Sequence, residues 1–466
     1  MTIAPSAERQ QSLASPATDA GSSSAPSSPS RARQSAAEPG PAPLASSAPS
    51  SSASSASSAS SASSASSEAE LLASGEHRLL GNYRQAPFVL EHGRGCELFD
   101  TEGRRYLDLC AGVAVSALGH AHPRLTAAIA AQAGRLIHTS NYFYNQENLL
   151  LAEELCQKTG FDRAFFCNSG AEANEALLKL ARRHFFNRGE AHRYRIVAFH
   201  NAFHGRTLGA IALTGTPKYR EGFGPPLQGV THVAYGDVEA VRAAMGPDVA
   251  GILVEPVQGE GGVIPGPPGF LAAMRSLADE HGALLLLDEV QTGIGRTGHW
   301  LGSHGDDVRG DAAALAKGLG GGFPIGALVL REQLNSALPP GAHGSTYGGG
   351  PLASTAARTV LAVIEEDGLC AAATRNGDHL ARGLAGIAAR HPHLATGERG
   401  RGLLRALVLA PGIDPRKALN AARDRGVLLT VAGSDALRFT PPLIISEAQI
   451  DEALEKVEIA LTEAFA

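Results

Sequence analysis

Four short, mainly apolar runs, each followed by a polar loop and then a helical pattern, restrict most strongly what this chain can fold into. The runs are 164–167, 195–199, 249–254 and 283–287. A run without polar alternation suits a short strand that is buried on both faces, as in a parallel sheet. Repeats of strand, loop and helix indicate right-handed crossover connections. We therefore predict an α/β fold with a large, mainly parallel sheet that has helices on both faces.

Two acids and one lysine near the fourth run predict a ligand site. Asp288 and Glu289 follow this run directly, and in open α/β sheets ligands bind outside the carboxyl ends of the strands. A buried carboxylate needs a cationic partner, and Lys317 is the one charged residue in 312–322. The glycines of 318–322 let a flat ligand approach the main chain. Taken singly, the aspartate could be a helix cap and the lysine a solvated charge.

The stretch after the first run predicts an anion-binding helix start. Ser169 and Glu172 have the S-x-x-E spacing of a capping box. Gly170 and Ala171 have no bulk that would keep an anion from the free N–H groups of the first turn. An ordinary capped helix is the alternative interpretation of this motif alone. No G-x-G-x-x-G sequence follows a predicted strand and no Walker lysine is present, so nucleotide cofactors lack support.

Two arginines are candidates for anion binding. Arg206 follows Phe203 and His204, two flat side chains that could stack on a planar ligand. Its guanidinium could pair bidentately with a carboxylate, although a surface salt bridge is the alternative. Arg438 stands between apolar neighbours on a predicted strand, where its charge is costly to bury unless an anion meets it.

Other candidates flank the glycine-rich loops. Ser345 and Thr346 precede a glycine run, and small hydroxyls there suit phosphate oxygens. The segment 140–145 holds three aromatic residues, which belong either in the core or, because asparagines flank them, in the wall of a pocket. The loop after the third run carries acids and an amide at the carboxyl end of its strand: Glu255, Gln258 and Glu260.

The first 67 residues differ in composition from the rest of the chain. They consist mainly of Ser, Ala and Pro with scarcely any apolar bulk, and such a segment cannot bury enough surface to offset the entropy of ordering. We therefore predict a disordered tail at 1–67, with an organellar transit peptide as the alternative. The whole chain, with 44% hydrophobic and 18% charged residues, has the composition of a globular protein.

Charge and cysteine usage exclude several classes of partner and site. The formal net charge of −6 gives no reason to expect nucleic acid or an anionic membrane as a partner. The five cysteines lack C-x-x-C spacing, which argues for a reducing compartment and against disulfides or a metal site. No apolar run approaches the length of a membrane span. We expect a soluble protein of the cytoplasm or an equivalent reducing matrix.

Together these motifs resemble the class III pyridoxal-phosphate (PLP) aminotransferases over residues 71–466. The matching stretches are LGHAHP, SNYFYN, NSGAEANEALLKLAR, AFHGRT, EPVQGEGG, LLLDEVQTGIGRTG, ALAKGLGGGFPIGA, GSTYGGGPLAS and RFTPPLIIS. Within this family the chain is most similar to the acetylornithine aminotransferases. The resemblance implies a fold-type I transferase with an N-terminal segment (68–115) packed on the small domain, a large PLP-binding domain (116–365) and a small C-terminal α+β domain (366–466).

The resemblance also implies a role for each residue of the cofactor site. Lys317 would form a Schiff base with the cofactor aldehyde and later move the proton, and Asp288 would pair with the protonated pyridine nitrogen. Gln291 would approach the ring hydroxyl, and Phe203 and Val290 would cover the two ring faces. The phosphate would bind at the helix start and would be reached by a threonine of the neighbouring subunit of a homodimer. The implied cofactor-binding set is Ser169, Gly170, Ala171, Phe203, Asp288, Glu289, Val290, Gln291, Lys317 and Thr346.

The implied reaction moves the terminal amino group of N2-acetylornithine to 2-oxoglutarate. Arg206 would hold the α-carboxylate of the ornithine derivative with Ser345 nearby, and Glu260 and Arg438 would form a switchable ion pair. The alternatives within the family are enzymes for succinylornithine, ornithine, succinyldiaminopimelate or 4-aminobutyrate. A class III decarboxylase or aminomutase, a non-catalytic PLP-binding protein and a dehydrogenase are more distant alternatives.

Overall fold

The computed structural model describes residues 67–466, so the prediction of a disordered tail lies outside the described residues except at Ser67. No helix within this range is long and apolar enough to cross a membrane. The α-helices are α1 (Glu68–Arg78), α2 (Ala111–Ala114), α3 (Pro123–Ala133), α4 (Gln146–Thr159), α5 (Gly170–Asn187), α6 (Leu208–Leu213), α7 (Val238–Ala244), α8 (Phe270–Glu280), α9 (Pro351–Glu366), α10 (Leu369–Arg390), α11 (Pro415–Asp424) and α12 (Glu447–Ala464).

The strands of residues 67–466 form four sheets, and the largest carries the site. They are β1 (Leu90–Arg94), β2 (Glu97–Asp100), β3 (Arg105–Asp108), β4 (Arg163–Cys167), β5 (Arg195–Phe199), β6 (Val230–Val233), β7 (Val249–Val254), β8 (Val257–Gln258), β9 (Ile264–Pro265), β10 (Leu284–Asp288), β11 (Ala312–Leu315), β12 (Gly326–Leu330), β13 (Ala395–Arg401), β14 (Leu404–Leu409), β15 (Val427–Leu428), β16 (Thr430–Ala432) and β17 (Ala436–Phe439).

The main sheet is mostly parallel, as predicted. Its seven strands have the order β4-β12-β11-β10-β7-β5-β6. The pairs β11/β10, β10/β7, β7/β5 and β5/β6 are parallel, whereas β12 runs antiparallel to both of its neighbours. The carboxyl ends of β4, β5, β7, β10 and β11 therefore meet at one edge of the sheet, where the predicted site residues follow them.

Burial on both faces explains the continuous apolar run at 283–287. Leu285 and Leu287 belong to the core cluster that contains residues of helix α8, and Leu284 and Leu286 belong to the cluster that contains residues of helix α5. Side chains alternate between the faces of a strand, so two covered faces leave no position for a polar residue. The strand begins one residue later than predicted and ends with Asp288, which places this carboxylate at the sheet edge.

The order of elements in the C-terminal region differs from the prediction of helix, strand, helix, strand, strand, helix. After α10 the chain forms two strands before α11 and three strands after it. Strands β13 and β14 are a hairpin around residues 402–403, so one predicted strand is two. Strand β15 pairs in parallel with β3, whereas β16 pairs with β17. The additional break separates β15 from β16, which are neighbours in the chain but belong to different sheets. A local sequence pattern does not show which sheet a strand joins.

The N-terminal segment is tied to the C-terminal region by this β3/β15 pairing. An ion pair adds to it, since Arg105 donates to the two carboxylate oxygens of Glu452 at 2.7 and 3.1 Å. The packing of 68–115 on a small domain stays a prediction. The division of 68–466 into three parts remains a prediction.

We expect the Glu452→Gln substitution to destabilise the protein in a pH-dependent manner. The hydrogen bonds from Arg105 lower the pKa of Glu452 to about 2, whereas an unfolded glutamate titrates near ~4.3. The stabilisation is therefore present above the unfolded pKa and is lost as the pH falls towards 2. Because the pair is about one-third exposed, we expect a loss of about 1 kcal/mol at pH 7.

Urea unfolding at pH 7 and pH 3 tests this expectation, with Glu455→Gln on the exposed face of the same helix as the control. The difference between Glu452→Gln and the wild type should shrink to about half at pH 3. A difference that is equal at the two pH values would contradict the assigned pKa shift.

Candidate active site

A cavity of about 410 Å³ lies at the carboxyl edge of the main sheet. Strand β10 brings Asp288 to it, the loops after β4, β5 and β7 bring three more groups of residues, and Lys317 follows β11. Most of the predicted site residues line this one cavity. They are Ser169, Gly170, Ala171, Phe203, Arg206, Glu260, Asp288, Val290, Gln291 and Lys317.

The start of helix α5 forms one end of the cavity. Ser169 is the N-cap and accepts a hydrogen bond from the Glu172 N–H at 3.2 Å. The predicted capping box is only half formed, because Glu172 Oε2 accepts from the N–H of Asn168 at 2.8 Å and not from that of Ser169. A Cβ on Gly170 would lie 2.7 Å from Val290 Cγ1. The helix start therefore offers free N–H groups and its positive dipole end to an anion.

Asp288 lines the same cavity and is buried in a network of three hydrogen bonds. Its Oδ2 accepts from His204 Nδ1 at 2.7 Å and from Asn174 Nδ2 at 2.8 Å, and its Oδ1 accepts from the Val290 N–H at 3.0 Å. Because a carboxylate only accepts, the proton of the His204 ring that faces it lies on Nδ1. Such a network fixes the orientation of the carboxylate towards a ligand in the cavity.

Two members of this network differ from the sequence-based expectation. His204 lines the cavity with a fully buried side chain whose Nδ1 donates to Asp288, so it orients the acid, and its stacking on a ligand stays a prediction. Asn174 was not predicted, although an asparagine one turn after Gly170 within an apolar helix stripe is a signal that could have identified it. The atoms Asn174 Oδ1 and His204 Nε2 have no hydrogen-bond partner among residues 67–466.

Lys317 presents its amine to the cavity from a strained backbone. Its φ of 43° lies in the left-handed region, which is unfavourable for a residue with a side chain and is typical of functional positions. Burial lowers the pKa of the Lys317 amine, and the nearby Glu260 only partly offsets this effect. A lowered pKa increases the fraction of neutral amine, which is the nucleophilic and basic form.

Glu260, which lines the cavity, forms an ion pair with Arg438. Burial opposes ionisation of Glu260, but Arg438 and Lys317 outweigh it, and the pKa of Glu260 is lowered. Arg438 is 2% exposed, and its Nη1 also donates to Gly259 O at 3.2 Å and to Gln291 Oε1 at 3.3 Å. Because Glu260 lines the cavity and Arg438 lies behind it, the arginine can meet a ligand only if Glu260 moves.

Arg206 is exposed at the cavity mouth and forms no salt bridge with any residue of 67–466. Its guanidinium carbon lies 4.2 Å from the ring centroid of Tyr219 and 5.4 Å from that of Phe203. The alternative interpretation as a surface salt bridge is therefore wrong within the described chain. The guanidinium N–H groups remain available to a carboxylate.

Glu255, noted in the sequence but left out of the predicted site, also lines the cavity. Its Oε2 accepts from the Phe203 N–H at 3.3 Å, and it forms no salt bridge within the described chain. Burial, together with the charge of Asp288, raises the pKa of Glu255 well above its ordinary value. The cavity is thus lined by one acid whose pKa is lowered, Glu260, and by one whose pKa is raised, Glu255.

Glu289 does not contact the cavity, which argues against its predicted role in cofactor binding. Its side chain is fully buried and accepts hydrogen bonds from the Gly302 N–H at 2.8 Å and the Ser303 N–H at 2.9 Å. Adjacent residues at the end of a strand point in opposite directions. Asp288 therefore faces the site, and Glu289 holds the loop at 302–303 in place.

Ser345 and Thr346, which were predicted to be site residues, also lie outside the cavity lining. Thr346 is exposed. The Ser345 hydroxyl accepts from Asn168 Nδ2 at 3.2 Å and from the Gly348 N–H at 3.0 Å, and no hydrogen bond links it to Arg206. The aromatic segment 142–144 is also exposed, so it belongs neither to the core nor to the cavity wall.

A comparison with known proteins identifies the family to which this arrangement belongs. The family model described as aminotransferase class-III matches residues 81–461. The chain belongs to the class-III aminotransferase family. The acetylornithine aminotransferase of Myxococcus xanthus is 46% identical over 382 residues, which cover 82% of this chain and 95% of that protein.

Solved structures of other aminotransferases have the same fold as this class-III aminotransferase. The N-acetylornithine aminotransferase of Stenotrophomonas maltophilia is 37% identical with a TM-score of 0.73, over 84% of this chain and 98% of that one. An ornithine aminotransferase of Toxoplasma gondii, whose active site contains PLP at partial occupancy, is 34% identical with a TM-score of 0.82. That match covers 85% of this chain and 95% of that one.

Proposed function

We propose that this enzyme uses pyridoxal 5′-phosphate to transfer the terminal amino group of N2-acetylornithine to 2-oxoglutarate. The products are N-acetylglutamate 5-semialdehyde and glutamate, as in arginine biosynthesis. One observation carries the proposal. Lys317 and Asp288 line the same cavity, and the two arginines near it have different interaction partners. Arg206 stacks on Tyr219 and forms no salt bridge with an acid among residues 67–466, whereas Arg438 forms an ion pair with Glu260. The similarity to acetylornithine aminotransferases supports the choice of substrate.

The residues of the cavity fit this cofactor. Phe203 and Val290 line it as flat and apolar walls, and the first turn of helix α5 provides a site for a phosphate. Asp288 would hold the protonated ring nitrogen, Gln291 would approach the ring hydroxyl, and the Lys317 amine would bind the aldehyde. When bound, the cofactor supplies an electron-accepting ring that stabilises the negative charge left on a carbon when its proton is removed.

Proton transfer belongs to Lys317 in this proposal. Its Nζ takes the proton from the amine-bearing carbon of the donor and returns it on the path to product. Burial favours the neutral amine that this step requires, because it lowers the pKa of Lys317. Asp288 would pair with the ring nitrogen, and His204 and Asn174 keep its carboxylate in position.

The two substrates place their carboxylates at different distances from the reacting carbon. Acetylornithine reacts at its terminal amine, far from its carboxylate, whereas glutamate reacts at the carbon beside one. We propose that Arg206 binds the distant carboxylate in both half-reactions. Glu260 neutralises Arg438 during the first half-reaction and moves aside in the second, when Arg438 takes the α-carboxylate of glutamate or 2-oxoglutarate.

The Glu260→Ala substitution should change the ratio of the two half-reactions. Without Glu260, Arg438 is always available to an α-carboxylate, but it remains an unpaired buried cation while acetylornithine is bound. We expect the glutamate half-reaction to be favoured over the acetylornithine half-reaction by roughly tenfold or more. Single-turnover rates with each donor measure this ratio, and Glu280→Ala on the surface is the control. Equal losses in both half-reactions would defeat the switch.

Steady-state rates over a panel of amino donors test the choice of substrate. We expect the highest kcat/KM with acetylornithine among acetylornithine, succinylornithine, ornithine, succinyldiaminopimelate and 4-aminobutyrate. Ornithine is the second candidate, because the Toxoplasma gondii ornithine aminotransferase shares the fold at 34% identity. A higher kcat/KM with ornithine would replace the proposed donor without changing the proposed chemistry.

We also propose that the enzyme is a homodimer that acts in the cytoplasm. Tyr142, Phe143, Tyr144 and Tyr347 are 67–93% exposed and flank the exposed Thr346 in this single chain. A patch of large exposed aromatics is typical of a protein interface. Through it, Thr346 would reach the phosphate of the neighbouring subunit. All five cysteines are free, which supports a reducing compartment, with an organellar matrix as the alternative.

A further inference from the structure

The side chain of Arg206 is held at the cavity mouth by an aromatic ring and not by an acid. Tyr219 belongs to a short 3-10 helix, Pro217–Tyr219, that follows helix α6. Its ring centroid is 4.2 Å from the guanidinium carbon of Arg206 and 5.9 Å from the centroid of Phe203, with the two rings nearly perpendicular. Among residues 67–466, only the neighbouring Lys218 brings another cation over the same ring, at 5.2 Å.

An aromatic face attracts a guanidinium without using its N–H donors. The attraction acts on the face of the planar group, whereas the five donors point outward in its plane. Arg438 differs, because its Nη1 donates to Glu260, Gly259 and Gln291 and its Nε donates to Thr430. A carboxylate can therefore bind Arg206 without displacing another group. To bind Arg438, it must displace Glu260.

The backbone beside Arg206 is fixed independently of the ring. Glu175 on helix α5 accepts from the Thr207 hydroxyl at 2.7 Å and from the Gly209 N–H at 2.9 Å, which anchors the start of helix α6. On the other side, a Cβ on Gly205 would lie 2.7 Å from the Cβ of Ala171. With the main chain held in this way, the remaining freedom of Arg206 lies in its long side chain, and Tyr219 restricts that freedom.

We propose that Tyr219 is a positioning residue that holds Arg206 ready for a substrate carboxylate in both half-reactions. The proposal rests on the assignment of Arg206 as a carboxylate-binding residue. It predicts that loss of the ring weakens carboxylate binding and leaves the chemical step unchanged. The reason is that the carboxylate is bound equally in the ground state and in the transition state. The ligand class is a carboxylate at the far end of a substrate that reacts at the cofactor.

The test compares the holoenzyme variants Tyr219→Leu and Tyr219→Phe. Tyr219→Leu should raise both the inhibition constant for glutarate, a non-reacting dicarboxylate, and the Michaelis constant for the oxoacid substrate by about three- to fivefold, with little change in kcat. Tyr219→Phe keeps the ring face and should stay within about twofold of the wild type. Tyr194→Leu is the matched control, because Tyr194 stacks with Arg182 at 5.6 Å but precedes strand β5 at the opposite edge of the sheet.

A double-mutant comparison separates positioning from general damage. In an Arg206→Gln background, Tyr219→Leu should have no further effect on the glutarate inhibition constant. Additive effects in that background, or equal losses for Tyr219→Leu and Tyr219→Phe, would overturn the proposal. Because glutarate binding does not depend on the amino donor, a donor other than acetylornithine would overturn the proposed function and leave this test intact.

Discussion

Replacement of Lys317 by alanine is expected to lower kcat for transamination by about 10³-fold or more. Among residues 67–466, Lys317 is the only lysine that lines the cavity, so the substitution removes both the proposed anchor for the cofactor aldehyde and the group proposed to move the proton. The start of helix α5, which is the proposed phosphate site, and the aromatic ring of Phe203 remain. The variant should therefore still bind the cofactor non-covalently.

Single-turnover measurements with acetylornithine test this prediction, and Lys417→Ala on helix α11 is the control. Addition of a small primary amine should restore part of the rate to the Lys317→Ala variant, because the cavity can admit a soluble base in place of the side chain. A variant that keeps more than about a tenth of the wild-type kcat would show that another group moves the proton.

Replacement of Asp288 by asparagine should lower kcat/KM by roughly 10²- to 10⁴-fold, about 3–5 kcal/mol. The amide keeps the size of the carboxylate but lacks the charge that favours a protonated ring nitrogen. His204 Nδ1 and Asn174 Nδ2, which now donate to the carboxylate at 2.7 and 2.8 Å, would compete for one neutral oxygen. The loss should appear mainly in kcat, since the charge acts as the substrate carbon loses its proton.

His204→Ala distinguishes charge from orientation in this network. It leaves the carboxylate of Asp288 in place with two of its three partners, so we expect only about a tenfold loss of kcat. Asp279→Asn on the exposed end of helix α8 is the control for a change of charge. If His204→Ala and Asp288→Asn were equally impaired, the charge of Asp288 would not be the dominant contribution.

Residues that follow buried strands were the most predictable part of the site. The run before Asp288 is apolar on both faces, so the acid at its end had to lie at the sheet edge. The start of helix α5 was equally predictable, because Ser169 is a good N-cap residue and Gly170 has no side chain at the first helical position. Local sequence carries these features because a strand and a cap are decided within a few residues.

Features that depend on distant residues were not predictable in the same way. The contacts of His204 and Asn174 with Asp288 join positions 84 and 114 residues apart. The orientation of Glu289 depends on a loop 13 and 14 residues further along. The stacking of Arg206 on Tyr219 requires helix α6 to return the chain to the cavity mouth. Each of these contacts is a tertiary contact between residues whose own neighbourhoods look ordinary.

The most direct test of the proposed mechanism is a spectral titration of the holoenzyme, first with acetylornithine and then with 2-oxoglutarate. We predict that acetylornithine moves the absorbance of the bound cofactor from the visible to the near-ultraviolet, and that 2-oxoglutarate fully reverses the change. In Lys317→Ala neither addition should move the spectrum at a comparable rate. A wild-type spectrum that does not respond to acetylornithine, or that 2-oxoglutarate does not restore, would contradict the proposal that one cavity processes both substrates in turn.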